Sequence, residues 1–237
     1  MALFDDRADA GRQLASMLDD YRGRDLVVLG LPRGGVPVAA AVAKRLHAPL
    51  DVIVVRKLGL SFEPEVAMGA IGEEGVYVRN ARVLAQSGVP DAQLRAVERR
   101  ERPLLEARVA ELRAGRPRVE LAGRIALIVD DGVATGSTAR AACQVARLMG
   151  AARVVLAAPV IAAGAVTELQ RPAGECADRV ISVAAPFGFA SVGQYYRHFD
   201  ATTNADVTAL LAASGQDPPR QRPSWNATAD GRTSTTP

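Results

Sequence analysis

Two neighbouring carboxylates, Asp130 and Asp131, are followed closely by Thr135-Gly136-Ser137-Thr138, three hydroxyls around a glycine. Placed at the start of a helix, the second group offers unpaired backbone N–H groups and hydroxyls to an anion, which is how a phosphate is gripped. The aspartates cannot share that duty, because like charges repel. They suit vicinal hydroxyls, or a Mg2+ that the ligand also coordinates. One loop therefore presents anionic acceptors first and a phosphate cradle just after, an order of groups that a ribose 5-phosphate fits.

Such residues need elements to aim them. Ile125–Val129 is an apolar, β-branched run, predicted to be a strand buried on both faces in a parallel sheet. The aspartates then fall at its carboxyl end, where open α/β sheets bind ligands. Residues 139–149 carry apolar and small residues at helical spacing. The same layout occurs earlier, with a strand at Leu26–Gly30, then Leu31-Pro32-Arg33-Gly34-Gly35, then a helix over about 36–46. Adjacent glycines allow close backbone approach to a ligand, and Arg33 adds a fixed charge suited to bidentate anion contacts. A third strand is predicted over 50–55, with Arg56 and Lys57 at its carboxyl end to neutralise charge.

Val129-Asp130-Asp131 with Ala134-Thr135-Gly136-Ser137-Thr138 resembles the phosphoribosyl-pyrophosphate (PRPP) motif of the type I phosphoribosyltransferases, and Arg33-Gly34-Gly35 resembles the loop that holds pyrophosphate in that family. The resemblance spans roughly 26–182. It implies an α/β fold, a mostly parallel twisted sheet with helices on both faces, and transfer of the 5-phosphoribosyl group between PRPP and a nitrogenous base or amine. Asp130 and Asp131 would hold the ribose hydroxyls and Mg2+, directly or through water. Residues 134–138 would anchor the 5-phosphate. Arg33, Gly34, Gly35, Arg56 and Lys57 would bind pyrophosphate, with Arg33 and Arg56 among the catalytic groups. The pyrophosphate loop of the family often contains a cis non-proline peptide, here Pro32–Arg33. In adenine phosphoribosyltransferases an Arg-Lys pair leads into a mobile loop, so 58–64 is expected to be a lid, with Gly59 and Pro64 interrupting regular structure. A hood segment over about 184–200 would cover the base, with Phe187 and Phe189 as stacking rings and Tyr195, Tyr196 and Phe199 anchoring it to the core.

One departure bears on substrate. Enzymes of this family that act on 6-oxopurines carry an aspartate where this chain has Ala134, which can neither give nor take a proton. Hypoxanthine and guanine are therefore disfavoured, and Glu63 and Glu65 become the nearest candidates for a general acid or base. Adenine enzymes do have alanine there, but they lack the hairpin expected around Gly72-Glu73-Glu74-Gly75 and the long charged helix expected over 91–115, which Pro103 should bend or split. The stripe Leu94, Val97, Leu105, Val109 and Leu112 could pack on the same chain or on a second subunit.

The whole chain, 237 residues with a formal charge of +3, suits one α/β domain over 1–213, with the insertion at about 59–120, and a polar tail over 214–237 expected to be disordered. The arginines between Arg95 and Arg124 are interleaved with glutamates, which argues for a solvated helix face and against nucleic acid as partner. Cys143 and Cys176 lack metal or redox spacing and are read as reduced. No signal peptide or membrane span is visible, so a cytoplasmic protein is expected; the family resemblance implies a homodimer in nucleotide metabolism. From another functional class, a non-catalytic PRPP- or nucleotide-sensing regulator on the same fold fits the phosphate loop, although regulators often lose the pyrophosphate loop. A generic Asp-Asp phosphohydrolase would leave Gly34-Gly35 without a purpose.

Overall fold

The computed structural model describes residues 2–60, 62–63, 66–170 and 176–215. In chain order the elements are α1 (Arg7–Ser16), β1 (Leu26–Gly30), α2 (Gly35–Leu46), β2 (Leu50–Val52), β3 (Val55–Gly59), β4 (Ala67–Gly72), β5 (Tyr77–Arg79), α3 (Ala81–Ser87), α4 (Asp91–Arg113), β6 (Ile125–Val129), α5 (Ser137–Leu148), β7 (Arg153–Val160), α6 (Ala163–Leu169), β8 (Arg179–Ala184) and α7 (Asn204–Ala213).

Strand side chains alternate between two apolar layers, and that alternation builds the centre. Val28, Val52, Leu127, Val129 and Val155 point into a layer with α1, α2, α4 and α7. Val27, Leu29, Ala126, Ile128, Val154 and Leu156 point the other way, against α5. The resulting sheet is wholly parallel, in the order β2-β1-β6-β7-β8. Each fully buried Val or Leu side chain contributes about 1.5–3 kcal/mol relative to exposure. The two layers thus hold the sheet rigid beneath its loops. Helices α1 and α2 cross closely because Gly11 has no side chain; a Cβ there would lie 2.7 Å from the Cβ of Ala41.

A second sheet, β3-β4-β5, is antiparallel and includes the expected hairpin around Gly72–Gly75. It packs on α5, where a Cβ on Gly72 would meet Val145 at 2.5 Å. The expected third core strand over 50–55 needs correction. β2 stops at Val52, and a new strand begins at Val55 in the other sheet, so Arg56 and Lys57 lie within β3 and not at the end of a core strand. Ile53 and Val54 are both buried at the crossing, so the apolar run continues although the strand does not. Leu58 and Gly59 of the expected lid likewise belong to β3, and Leu60 N–H bonds Val66 O at 3.0 Å to close the β3–β4 connection. Pro64 and Glu65 lie outside the described residues, as does 216–237 of the expected tail.

Helix α4 runs unbroken through Pro103, so of the expected bend or split the split does not occur. Its stripe packs within the chain: Leu94, Leu105 and Leu112 are buried in the layer shared with α2, and Val97 and Val109 lie against it. A buried ion cluster fixes its end. Arg113 bonds Glu73 through Nε at 2.6 Å and Asp51 through Nη1 at 2.8 Å, and all three side chains are at most 8 % exposed. Asp51 also accepts the N–H groups of Val52 and Val119. Cys143 and Cys176 are buried and free of disulfide.

The first residues of the chain complete the region after β8. Leu3 and Phe4 donate to Tyr195 O, while Arg197 and His198 donate back to Phe4 O and Asp5 O. Phe4, Ala10, Val160, Tyr195 and Tyr196 bury themselves together in a small satellite core, with Phe189 against it.

Candidate active site

Connectivity places the two loops side by side. β1 continues through α2 to β2 on one flank, and β6 continues through α5 to β7 on the other, so the direction of winding reverses between β1 and β6. Ligand crevices form at such switch points. Gly30 pairs with Val129 across the two strands, and Leu31 N–H bonds Val129 O at 2.8 Å.

The glycine pair lets the loops touch. A Cβ on Gly34 would lie 1.9 Å from Asp131 Oδ2, and one on Gly35 would lie 2.6 Å from Val129 O and 2.8 Å from Asp130 Cα. No side chain fits at either position, so Asp130 and Asp131 rest directly on the Arg33-Gly34-Gly35 turn. The Pro32–Arg33 peptide bond is cis, as the family resemblance implies. The Arg33 side chain is exposed and bonds no group among the described residues.

Each aspartate has one oxygen engaged within the chain. Asp130 Oδ1 accepts the Asp131 N–H at 2.9 Å. Asp131 Oδ2 accepts Arg7 Nε at 2.8 Å, from side chains 13 % and 14 % exposed. Tyr196 Oη donates to Asp131 O at 2.6 Å, fixing the backbone. Desolvation pushes the Asp130 carboxyl up to about 8, with the Asp131 charge adding to it. Asp131 is also raised by desolvation, against the pull of Arg7. The pair therefore favours any cation or hydroxyl donor that can approach its remaining oxygens.

The loop after Asp131 enters α5 through Gly136, whose φ of +75° is a left-handed conformation suited to glycine. The first intrahelical bond is Arg140 N–H to Gly136 O at 2.8 Å. The amides of Ser137, Thr138 and Ala139 precede it, and none of them bonds a group among the described residues. Thr135 Oγ1 and Ser137 Oγ lie 3.3 Å apart, and Lys57 Nζ reaches Ser137 Oγ at 3.0 Å. Lys57 thus stands beside this loop. Arg56 turns to α4, where its Nε bonds Glu101 Oε2 at 2.8 Å.

In the expected hood segment Phe187 is 99 % exposed, whereas Phe189 packs on Tyr195 with centroids 5.3 Å apart. Glu63 is exposed in the β3–β4 connection, and Glu65 falls outside the described residues. Sequence reasoning missed Arg7 altogether. An arginine on an amphipathic N-terminal helix carries no motif, and only the folded chain brings it to Asp131. No cluster of three or more potential ligands among His, Cys, Asp and Glu exists among the described residues, so a metal here would need ligand oxygens beside the two carboxylates. No helix among them is long and apolar enough to cross a membrane.

The family described as phosphoribosyl transferase domain matches residues 3–190. Two relatives from Mycobacterium tuberculosis, each named "Putative phosphoribosyl transferase", are 54% identical over 217 residues, covering 92% of this chain and 48% of theirs. The chain thus spans about half the length of these curated relatives. The crystal structure of TT1426 from Thermus thermophilus is similar at a TM-score of 0.82 and 41% identity, over 91% of this chain and 100% of that one.

Proposed function

The chain belongs to the phosphoribosyl transferase family, and on that premise we propose that it transfers the 5-phosphoribosyl group between PRPP and a nitrogenous base or amine, with release of pyrophosphate. The observation that supports this reading most is the seating of Asp131 and Asp130 on Gly34 and Gly35. It joins the acidic pair and the anion loop in one crevice, so ribose and pyrophosphate of one molecule can be met together.

The work of such a site is positioning and charge placement. The unengaged oxygens of Asp130 and Asp131 hold the ribose hydroxyls and stabilise positive charge developing on the ring. The amides of 137–139 and the hydroxyls of Thr135, Ser137 and Thr138 anchor the 5-phosphate. Lys57, already at Ser137 Oγ, adds its charge at that end. Arg33 meets the pyrophosphate from the Gly34-Gly35 turn, and Arg56 joins it by exchanging Glu101 for the ligand. Mg2+ fits a site with two carboxylates and a polyphosphate, since it commonly takes few protein ligands and shares substrate oxygens. Asp130 and Asp131 would hold it, and it would supply charge neutralisation for the leaving pyrophosphate. Phe187, exposed and unstacked, is the ring offered to the base, with Phe189 supporting Tyr195. Ala134 argues against 6-oxopurine acceptors.

Calorimetry with PRPP and Mg2+ tests the binding half, and pyrophosphate release across a panel of bases and amines tests the transfer half. Binding with release identifies the acceptor. Binding without release from any acceptor would favour the PRPP-sensing regulator, and no binding would remove both.

A further inference from the structure

We infer that Arg7 is a positioning residue of this site, pinning one oxygen of Asp131 against Gly34 so that the other, Oδ1, is left for the sugar. The inference rests on the proposed function and adds to it a residue from outside both motifs.

The geometry is specific to one oxygen. Arg7 Nε bonds Oδ2 at 2.8 Å, and Oδ2 is also the atom closest to Gly34, 1.9 Å from the site of a missing Cβ against 3.2 Å for Oδ1. Oδ1 accepts no bond among the described residues. The guanidinium cannot drift, because Nη1 bonds Asp200 O at 2.6 Å and its face lies 3.9 Å from the Phe199 ring centroid. Phe199 in turn packs on Tyr196, the residue that holds the Asp131 carbonyl. Carboxylate and backbone of Asp131 are therefore set from one cluster.

A purely structural role for Arg7 is the competing explanation, with the guanidinium tying the N-terminal segment to the region after β8. That tie is already made by four backbone hydrogen bonds among Leu3, Phe4, Asp5, Tyr195, Arg197 and His198. What Arg7 alone supplies is a cation on the acidic pair. No other side-chain cation bonds Asp130 or Asp131 among the described residues. Two adjacent carboxylates sharing one desolvated crevice repel, and a fixed guanidinium on the far oxygen offsets that repulsion without occupying the near one.

The test uses the full chain, Mg2+ and PRPP in calorimetry. Arg7→Ala should weaken binding about tenfold, the loss expected for a charge-assisted hydrogen bond. Arg7→Lys should recover part of the loss, because an ammonium can reach Oδ2 but cannot also bridge to Asp200 O. Guanidinium ion added at tens of millimolar should restore Arg7→Ala and leave the wild type unchanged, a response that lost packing would not give. Wild-type affinity in Arg7→Ala would overturn the assignment. So would a loss that guanidinium fails to restore and that tracks a fall in melting temperature. If the wild type itself does not bind PRPP, the proposed function falls and this inference with it; if the wild type binds and Arg7→Ala binds equally, the inference alone falls.

Discussion

Gly34 lies directly beneath the carboxylate of Asp131, so near that a single methyl at position 34 would come within 1.9 Å of Oδ2. The obstacle is a carboxylate held by Arg7 and carried on a backbone that Tyr196 holds. It cannot swing aside as the tip of a free side chain would. Gly34→Ala should therefore break the Arg7–Asp131 pair, lower the melting temperature and weaken Mg2+–PRPP binding at least about tenfold. Calorimetry and thermal denaturation of the one variant check both effects. Wild-type affinity would mean that Asp131 does not touch the ligand.

Arg33 separates binding from stability. Its side chain is exposed and has no partner among the described residues, so Arg33→Ala should change unfolding free energy by no more than about 0.5 kcal/mol. On the proposed function the charge serves the ligand, so the same variant should weaken PRPP binding markedly. Urea denaturation beside calorimetry makes the comparison; a stability loss with intact affinity is the outcome that would remove Arg33 from the site.

Arg113 should show the reverse. Replacing it by methionine leaves Asp51 and Glu73 buried without their cation, and breaking a buried pair in this way costs about 3–5 kcal/mol. Urea midpoints of Arg113→Met and wild type give the difference. The cluster joins β2, the Gly72–Gly75 turn and the end of α4, so the loss should appear as one cooperative transition.

Glu101 gives a pH signature. Burial pushes its carboxyl up, but hydrogen bonds from Arg56 and Arg100 outweigh that and bring it below the ordinary 4.5. A carboxyl lowered in the folded state binds fewer protons there than in the unfolded chain, so its contribution is present above the unfolded value and fades as pH falls through the folded one. The melting-temperature advantage of wild type over Glu101→Gln should be constant at neutral pH and shrink below about pH 4.5. A gap that persists unchanged at pH 3 would show that the ion pair with Arg56 contributes nothing.

Particular residues show what the sequence could reveal. β1 and β6 were legible because a strand buried on both faces has to be apolar throughout, and the loops after them because a glycine pair or a hydroxyl run set between such a strand and a helix is suited to an anion. The same rule misled at 50–55. Ile53 and Val54 remain buried while the chain passes from one sheet to the other, and hydropathy registers burial without registering which partner strand provides it. Tyr196 was legible as an anchor, since aromatic residues cluster there, but not as the donor to Asp131 O. Arg7 was illegible for a simpler reason: it stands 124 positions from Asp131 and 193 from Asp200, and no local pattern encodes a pairing at that range.

That separation has a consequence for how the protein is made. Synthesis proceeds from the amino end, so Leu3, Phe4 and Arg7 emerge ahead of the rest of this domain and then wait for Tyr195 to Asp200, which follow nearly all of it off the ribosome. Both aspartates have emerged by then, while Arg7 still lacks the Asp200 and Phe199 groups that hold its guanidinium. A nascent chain halted between residues 138 and 195 would carry both loops, Arg33-Gly34-Gly35 and Asp130 to Thr138, while still lacking the Tyr196, Phe199 and Asp200 groups that meet Asp131 and Arg7.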